Sequence, residues 1–281
     1  MEPLSPLAVL IPTWNGWEDT RVCLETLRAA DPAPGRVLVV DNGSEDGTPE
    51  RIAASFPDVD VLALEENLGF SRAVNRGLAE LLGEGGVEAV LLLNNDTEVD
   101  PGAPARLLGT LRGDPGAAGV CPLIPYVEPP EEVWYAGGEV ALWRGYVGHR
   151  GIRRDTGEVE GGVRETGYLT GAAALLRREA LEGVGLLSED FPFYAEDADW
   201  SLRARRMGWR LLIDTGAVVR HRVSASVGGP FSRRKLRAKL QAVMLLFRRH
   251  ARPWHWITLL PGGLLVTLPQ VLLGLAGRGR R

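Results

Sequence analysis

The first hundred residues alternate short apolar runs, rich in Val, Ile and Leu, with stretches of helical period. The runs are 7–11, 36–40, 59–64 and 89–93, and the helical stretches between them are 17–30, 48–56 and 69–82. Strands that each return through a helix pair in parallel, so the spacing predicts an α/β fold with a mostly parallel central sheet flanked by helices on both faces. In such sheets a ligand lies beyond the carboxyl ends of the strands. Each predicted end carries polar residues: Pro12-Thr13-Trp14-Asn15-Gly16, Asp41-Asn42-Gly43-Ser44, Glu66-Asn67-Leu68-Gly69 and Asn94-Asn95-Asp96. They should share one rim.

The pattern changes at residues 125–167, which are rich in Gly, Trp and Tyr and have no clear period, predicting hairpins and long loops. Trp134, Tyr135, Trp143 and Tyr146 lie there. A strand follows at 170–176. A helix at 196–207 is expected to pack through Trp200, Leu202, Ala204 and Met207, and short strands at 210–213 and 217–219 should close the core. The division expected is a main domain over 1–229, with halves 1–124 and 125–229, then a helical and apolar extension over 230–281.

Charge separates along the chain. The formal net charge is −4, yet residues 201–281 hold 17 Arg or Lys and the single acid Asp214. A basic end of this kind attracts anionic lipid, nucleic acid or phosphate. Residues 231–250 read as a basic amphipathic helix. Residues 254–276 contain no Asp, Glu, Lys or Arg and are long enough to span a bilayer, for which roughly 20 residues suffice. Pro261-Gly262-Gly263 and Pro269 would break a continuous helix, so an in-plane or re-entrant segment suits the sequence better, with Trp254 and Trp256 at headgroup depth. The alternative is an apolar arm packed on the domain or on another chain. Cys23 and Cys121 are too few and too far apart for a disulfide framework or a thiolate zinc site. The opening residues lack a basic segment followed by a long apolar core, so the site is expected to face the cytoplasm.

Three clusters could carry chemistry. Asp41, at a strand end beside a Gly-rich turn, can accept the imide N–H of uracil or thymine; it can equally close an Asx-turn. Asn94-Asn95-Asp96 offers oxygen ligands suited to Mg²⁺ or Mn²⁺ bridging carboxylate and phosphates. Glu196-Asp197-Ala198-Asp199 opens a helix whose last turn carries Arg203, Arg205 and Arg206, an arrangement the helix dipole favours for itself. Asp199 and Arg203 are spaced for a surface pair. Asp197, however, follows the aromatic run Phe191-Pro192-Phe193-Tyr194, which could exclude water and hold a general base. His221, at the end of a predicted strand, could complete a metal shell.

Taken in order, Pro12-Thr13-Trp14-Asn15, Asp41-Asn42-Gly43-Ser44 with Asp46-Gly47-Thr48, Asn67-Leu68-Gly69-Phe70, Asn94-Asn95-Asp96, Gly171-Ala172-Ala173, Glu196-Asp197-Ala198-Asp199 and His221 resemble the family 2 inverting glycosyltransferases, the rhamnosyltransferase-like members above all. The resemblance implies a Rossmann-like GT-A fold and a UDP- or dTDP-linked sugar donor. It also implies a divalent metal and single displacement at the anomeric carbon. Pro12, Thr13, Asn15, Asp41, Asn67 and Asn95 would then bind the nucleotide, Asp96 and His221 the metal, and Arg222 the departing diphosphate. Asp197 would be the catalytic base, with Glu196, Trp134 and Tyr135 on the acceptor side. Asn94 stands where the family's metal motif has its first carboxylate. The acceptor implied is a glycan or lipid-linked hydroxyl at the inner face of the plasma membrane, and no nucleic-acid partner is expected.

Competing chemistries lack their motifs. A sugar-phosphate nucleotidyltransferase needs a Gly-rich loop with Arg or Lys after the first strand, and a dehydrogenase needs Gly-x-Gly-x-x-Gly there. The alternative left open is a nucleotide-sugar sensor or membrane scaffold with a dead site, encouraged by Asn94.

Overall fold

In the computed structural model of the chain, residues 4–83, 85–191, 194–223 and 233–262 are described. β1 (Leu4–Thr13), α1 (Trp17–Arg28), β2 (Pro34–Asp41), α2 (Thr48–Ser55), β3 (Asp60–Ala63), α3 (Phe70–Gly83) and β4 (Ala89–Leu93) follow the predicted alternation. β3, β2, β1 and β4 lie side by side and parallel. Every residue of β4 is buried, as a central strand covered on both faces requires. α3 crosses β1 and β2 so closely that only glycine fits at Gly77, where a Cβ would stand 2.3 Å from Leu10 Cδ1 and 2.7 Å from Val40 Cγ2.

The second half completes the sheet. Its elements are β5 (Thr97–Val99), α4 (Ala103–Gly113), β6 (Ala117–Pro125), β7 (Val133–Tyr135), β8 (Gly138–Ala141), β9 (Tyr146–His149), β10 (Val163–Glu165), β11 (Ala173–Arg177), α5 (Arg178–Val184), α6 (Glu196–Arg206), β12 (Arg210–His221), α7 (Arg233–His250) and α8 (Pro253–Gly262). The order across the sheet is β10-β12-β6-β11-β4-β1-β2-β3, with β5 on β12 and β7 on β6. β11 enters antiparallel between β4 and β6, while β12 runs parallel to β6. β8 and β9 form a separate hairpin in the Trp- and Tyr-rich segment. The fold is thus the α/β class expected, with a mostly parallel centre.

Three expectations need correction. Residues 210–213 and 217–219 are one strand, β12, whose register against β6 shifts between Asp214 and Val218. The Asp214-Thr215-Gly216 sequence looks like a turn, but Asp214 is buried and ion-paired at 3.0 Å to Arg106, which holds the irregularity in extended chain. Met207 is exposed, because α6 has ended and the chain is turning toward Gly208. Asp199 and Arg203 do pair, at 2.9 Å, but the Asp199 carboxylate is buried rather than on the surface. His250, at the end of α7, covers it with Nε2 2.8 Å from Asp199 Oδ1.

α7 therefore docks on the domain, burying Ala242, Leu246 and Phe247, and Arg206 Nη2 donates to the His250 carbonyl at 3.0 Å. α8 packs against a short helical turn, Leu142–Arg144, and leaves Trp254, Trp256 and Ile257 exposed. α8 includes Pro261 and is described as far as Gly262. No described helix is long and apolar enough to cross a membrane. Pro192, Phe193 and residues 263–281, including Pro269 and the last arginines, lie outside the described residues.

Candidate active site

The carboxyl ends of β1 to β4 meet along one rim. Pro12 stands opposite Val40 and Thr13 opposite Asp41, and on the other edge of β2 Asp41 is paired with Ala63. Hydrogen bonds stitch the loops together. Asp41 is buried, its Oδ1 accepting from Ser44 N at 2.9 Å and its Oδ2 from Ser44 Oγ at 2.5 Å, which is the Asx-turn alternative. Each carboxylate oxygen retains a lone pair for a ligand. Asn15, at φ 48°, donates its N–H to Ser44 Oγ at 2.8 Å and accepts from Glu45 N at 2.8 Å. Asn67 Oδ1 accepts from Asn42 Nδ2 and from Gly69 N. At Gly43, φ 75°, a Cβ would lie 2.6 Å from the Glu66 carbonyl carbon, so two loops touch through bare backbone.

Thr13 and Asn95 turn inward. The Thr13 hydroxyl shares a hydrogen bond with Thr20 Oγ1 at 2.8 Å, and Asn95 Nδ2 donates to both hydroxyls, at 3.1 and 3.2 Å. This knot fixes the start of α1. All six residues expected at the nucleotide therefore gather on the rim, with their polar side chains engaged within the protein. Ser44, part of the Asp41 motif, and Thr20, which the sequence motifs do not include, are the hydroxyls that tie them.

At the next loop, β12 leaves β6 and pairs with β5, setting His221 opposite Thr97. His221 Nε2 reaches Asp96 Oδ1 at 2.9 Å, and Arg222 N donates to the Asp96 carbonyl at 2.9 Å. The Trp134 ring meets His221 edge-on at 4.4 Å and His149 at 4.3 Å. Two cis ligands of an octahedral ion bound at roughly 2.1 Å stand about 3 Å apart, so Asp96 and His221 fit one cation. An imidazole nitrogen beside a carboxylate suits Mn²⁺ better than Mg²⁺. Among the described residues no group of three or more His, Cys, Asp or Glu converges on such a point, so further ligands would come from diphosphate oxygens and water.

Two expected residues are placed differently. The Arg222 guanidinium, assigned to the departing diphosphate, is held by Glu98 at 2.6 Å and lies 3.6 Å from Asp19. Tyr135, expected on the acceptor side, is wholly buried and donates its hydroxyl to the Tyr168 carbonyl at 2.6 Å. Alternation along β7 sends Val133 and Tyr135 inward and leaves Trp134 facing the histidines.

Asp197 sits in the first turn of α6. Tyr194 and Ala195, just before it, both have left-handed backbone, φ 77° and 69°, an uncommon conformation that needs support from the surroundings. Asp197 Oδ2 accepts from Gly171 N at 3.1 Å and Oδ1 from Ala198 N at 2.7 Å. A cavity of about 20 Å³, lined by Phe70, Leu92, Leu169 and Trp200 among others, adjoins the carboxylate. This burial raises the Asp197 pKa against the opposing pull of the two N–H donors. Glu196 is buried, its Oε2 has no partner among the described residues, and burial together with the Asp197 charge pushes it up to about 8. Near neutral pH Glu196 thus keeps its proton. The Ala172 carbonyl accepts from Asn94 N at 2.9 Å, so the backbone that holds Asp197 lies against the loop carrying Asp96.

The chain is 29% identical over 270 residues to the N-acetylglucosaminyl-diphospho-decaprenol L-rhamnosyltransferase of Mycobacterium tuberculosis, covering 89% of this chain and 86% of that protein. Its fold is similar to the crystal structure of GalNAc-T7 with UDP, GalNAc and Mn²⁺, with TM-score 0.63 and 18% identity over 79% of this chain and 44% of that one. It is also similar to the mannosyltransferase PcManGT from Pyrobaculum calidifontis in complex with GDP-Man and Mn²⁺, with TM-score 0.57 and 19% identity over 98% of this chain and 80% of that one. Those neighbours have the GT-A fold. Residues 8–185 match the profile of glycosyl transferase family 2, and the chain belongs to that family of nucleotide-sugar-dependent transferases.

Proposed function

We propose that the protein transfers a sugar, rhamnose being the first candidate, from a UDP- or dTDP-linked donor to a hydroxyl of a lipid-linked glycan, with inversion at the anomeric carbon. The observation that carries this reading is the Gly171 N–H on Asp197, one residue from the carbonyl that anchors the Asp96 loop. Asp197, ionised while Glu196 is neutral, takes the proton from the acceptor hydroxyl as that oxygen attacks opposite the diphosphate. The rim around Asp41 and Asn15 receives the nucleotide. Asp96 and His221 would hold a divalent ion, which when bound neutralises the charge that grows on the departing diphosphate. Trp134 offers a ring to the acceptor side, and Glu196 stands next to the base.

The lipid-linked acceptor is supported by the name of the mycobacterial relative and by the exposed Trp254, Trp256 and Ile257 of α8, which suit a membrane surface. The cytoplasmic face of the plasma membrane is the place this reading gives the protein. The test is turnover of a panel of UDP- and dTDP-sugars with Mn²⁺ and a lipid-linked amino-sugar acceptor, with the product's anomeric configuration read by NMR. Inverted product supports the reading; a retained configuration contradicts it. Asn94, a neutral residue at the head of the metal loop, favours a second reading as a nucleotide-sugar sensor. Nucleotide binding without turnover on every acceptor would select it.

A further inference from the structure

We propose that the cavity beside the β8–β9 hairpin grips the diphosphate of an isoprenoid-linked acceptor, a proposal that rests on the transferase reading above. The cavity is about 450 Å³ and is lined by Glu139, His149, Arg150, Gly151, Ile152 and Arg154.

Its charge is the first argument. Arg150 and Arg154 are exposed, and among the described residues neither meets a carboxylate. The neighbouring arginines are spent: Arg153 pairs with Glu132 at 2.7 Å and Arg144 with Glu139 at 2.5 Å. Arg144 thereby neutralises the only carboxylate in the lining, and the cavity is left with two unopposed guanidinium groups. Guanidinium is the side chain best matched to phosphate oxygens, through paired N–H donors. His149 adds no charge, since burial drives its pKa down to about 4. As a neutral ring it donates Nδ1–H to the Trp134 carbonyl at 3.1 Å and forms a wall of the cavity.

Position is the second argument. His149 meets Trp134 at 4.3 Å, Trp134 meets His221 at 4.4 Å, and His221 bonds to Asp96. Two ring contacts therefore separate the cavity from the place proposed for the donor's diphosphate. An acceptor whose attacking hydroxyl and own diphosphate sit on opposite sides of one sugar ring would bridge that gap over Trp134.

The third argument is where a lipid would go. The β8–β9 hairpin, roughly 13 Å long at about 3.3 Å per residue, runs from His149 to the turn at Leu142–Arg144. Exposed Trp143 stands on that turn, and α8 packs against it with Trp254 and Ile257 exposed. One end of the hairpin is cationic and the other apolar, the polarity of an isoprenoid diphosphate.

The experiment is calorimetric titration of the full chain with geranyl diphosphate and with inorganic pyrophosphate, each with and without saturating nucleotide (UDP or dTDP). Geranyl diphosphate should bind alongside the nucleotide, at least tenfold more tightly than pyrophosphate. The Arg150→Ala/Arg154→Ala double variant should weaken it tenfold or more, the Arg150→Lys/Arg154→Lys variant less than threefold, and Arg76→Ala, an exposed control on α3, not at all. Nucleotide affinity should stay unchanged in all three. Undiminished binding by the alanine double variant would overturn the proposal, as would displacement of geranyl diphosphate by the nucleotide. Equal affinity for pyrophosphate would overturn the lipid-linked assignment. A wild-type chain that binds geranyl diphosphate but no nucleotide would instead overturn the transferase reading.

Discussion

The backbone N–H of Gly171 donates to Asp197 Oδ2 at 3.1 Å, and the next carbonyl, that of Ala172, accepts from Asn94 N at 2.9 Å. One short turn before β11 thus holds the proposed base on one side and the metal loop on the other. The turn leads directly into β11, which is paired with β4 from Ala173 to Arg177, so the sheet anchors it.

Removing a ligand should change metal dependence before it changes the fold. His221→Ala leaves Asp96 without its 2.9 Å partner. The half-saturating Mn²⁺ concentration for turnover is expected to rise at least tenfold, with little change in nucleotide affinity measured without metal. An unchanged Mn²⁺ titration would remove His221 from the proposed metal shell.

The acid pair gives two pH signatures. Activity should fall on the acid side with a midpoint above the ordinary aspartate value of 3.8, as Asp197 protonates. Glu196→Gln should leave that limb in place, because Glu196 is already neutral there. For folding, Glu196 carries a raised pKa, so its stabilising proton is fully present below the ordinary 4.5 and lost as pH passes about 8. Stability of the wild type should decline across that window, and Glu196→Gln should flatten the decline. Urea unfolding at pH 5 and pH 8 measures both.

Asp199 is the buried hub between α6 and α7, bonded to Arg203 Nε at 2.9 Å and His250 Nε2 at 2.8 Å. Burial pushes its pKa up, but the two donors outweigh it and hold the carboxyl below the usual range. Its stabilisation is present above the ordinary aspartate pKa and lost as pH falls through the lower folded value. Asp199→Ala should cost about 3 kcal/mol, since it strands the buried His250 and takes one of the acceptors of Arg203, and denaturant unfolding measures it.

Much of the site was legible because strand ends declare themselves. Pro12, Asp41, Asn67 and Asp96 each follow an apolar run, and a parallel sheet must bring such ends to one rim. What the spacing could not reveal is which polar atoms are spent within the protein. Asn95 satisfies Thr13 and Thr20 through contacts between segments far apart in sequence. Arg222 looked free beside His221, yet β12 runs antiparallel to β5 and delivers it to Glu98. His250 gave one faint signal, an imidazole closing an otherwise basic helix. Its partner Asp199 could be known only from the packing of α7 on α6.

The two neighbours on β7 should behave oppositely. Trp134→Ala is expected to raise the acceptor KM severalfold more than the donor KM, since its ring faces His221 and His149. Tyr135→Phe should leave both constants alone and cost about 1 kcal/mol, because it removes one buried hydrogen bond from the Tyr168 carbonyl, which keeps the longer one from Thr166 Oγ1. Steady-state kinetics with thermal unfolding separates the two.

The central claim is that Asp197 removes the acceptor proton, and single-turnover kinetics of Asp197→Asn tests it most directly. With donor and acceptor saturating, the rate of sugar transfer should drop by about 10² to 10⁴, while nucleotide affinity and the melting transition remain close to wild type. A rate within tenfold of wild type would show that another group takes the proton, and the account of this site would have to be abandoned.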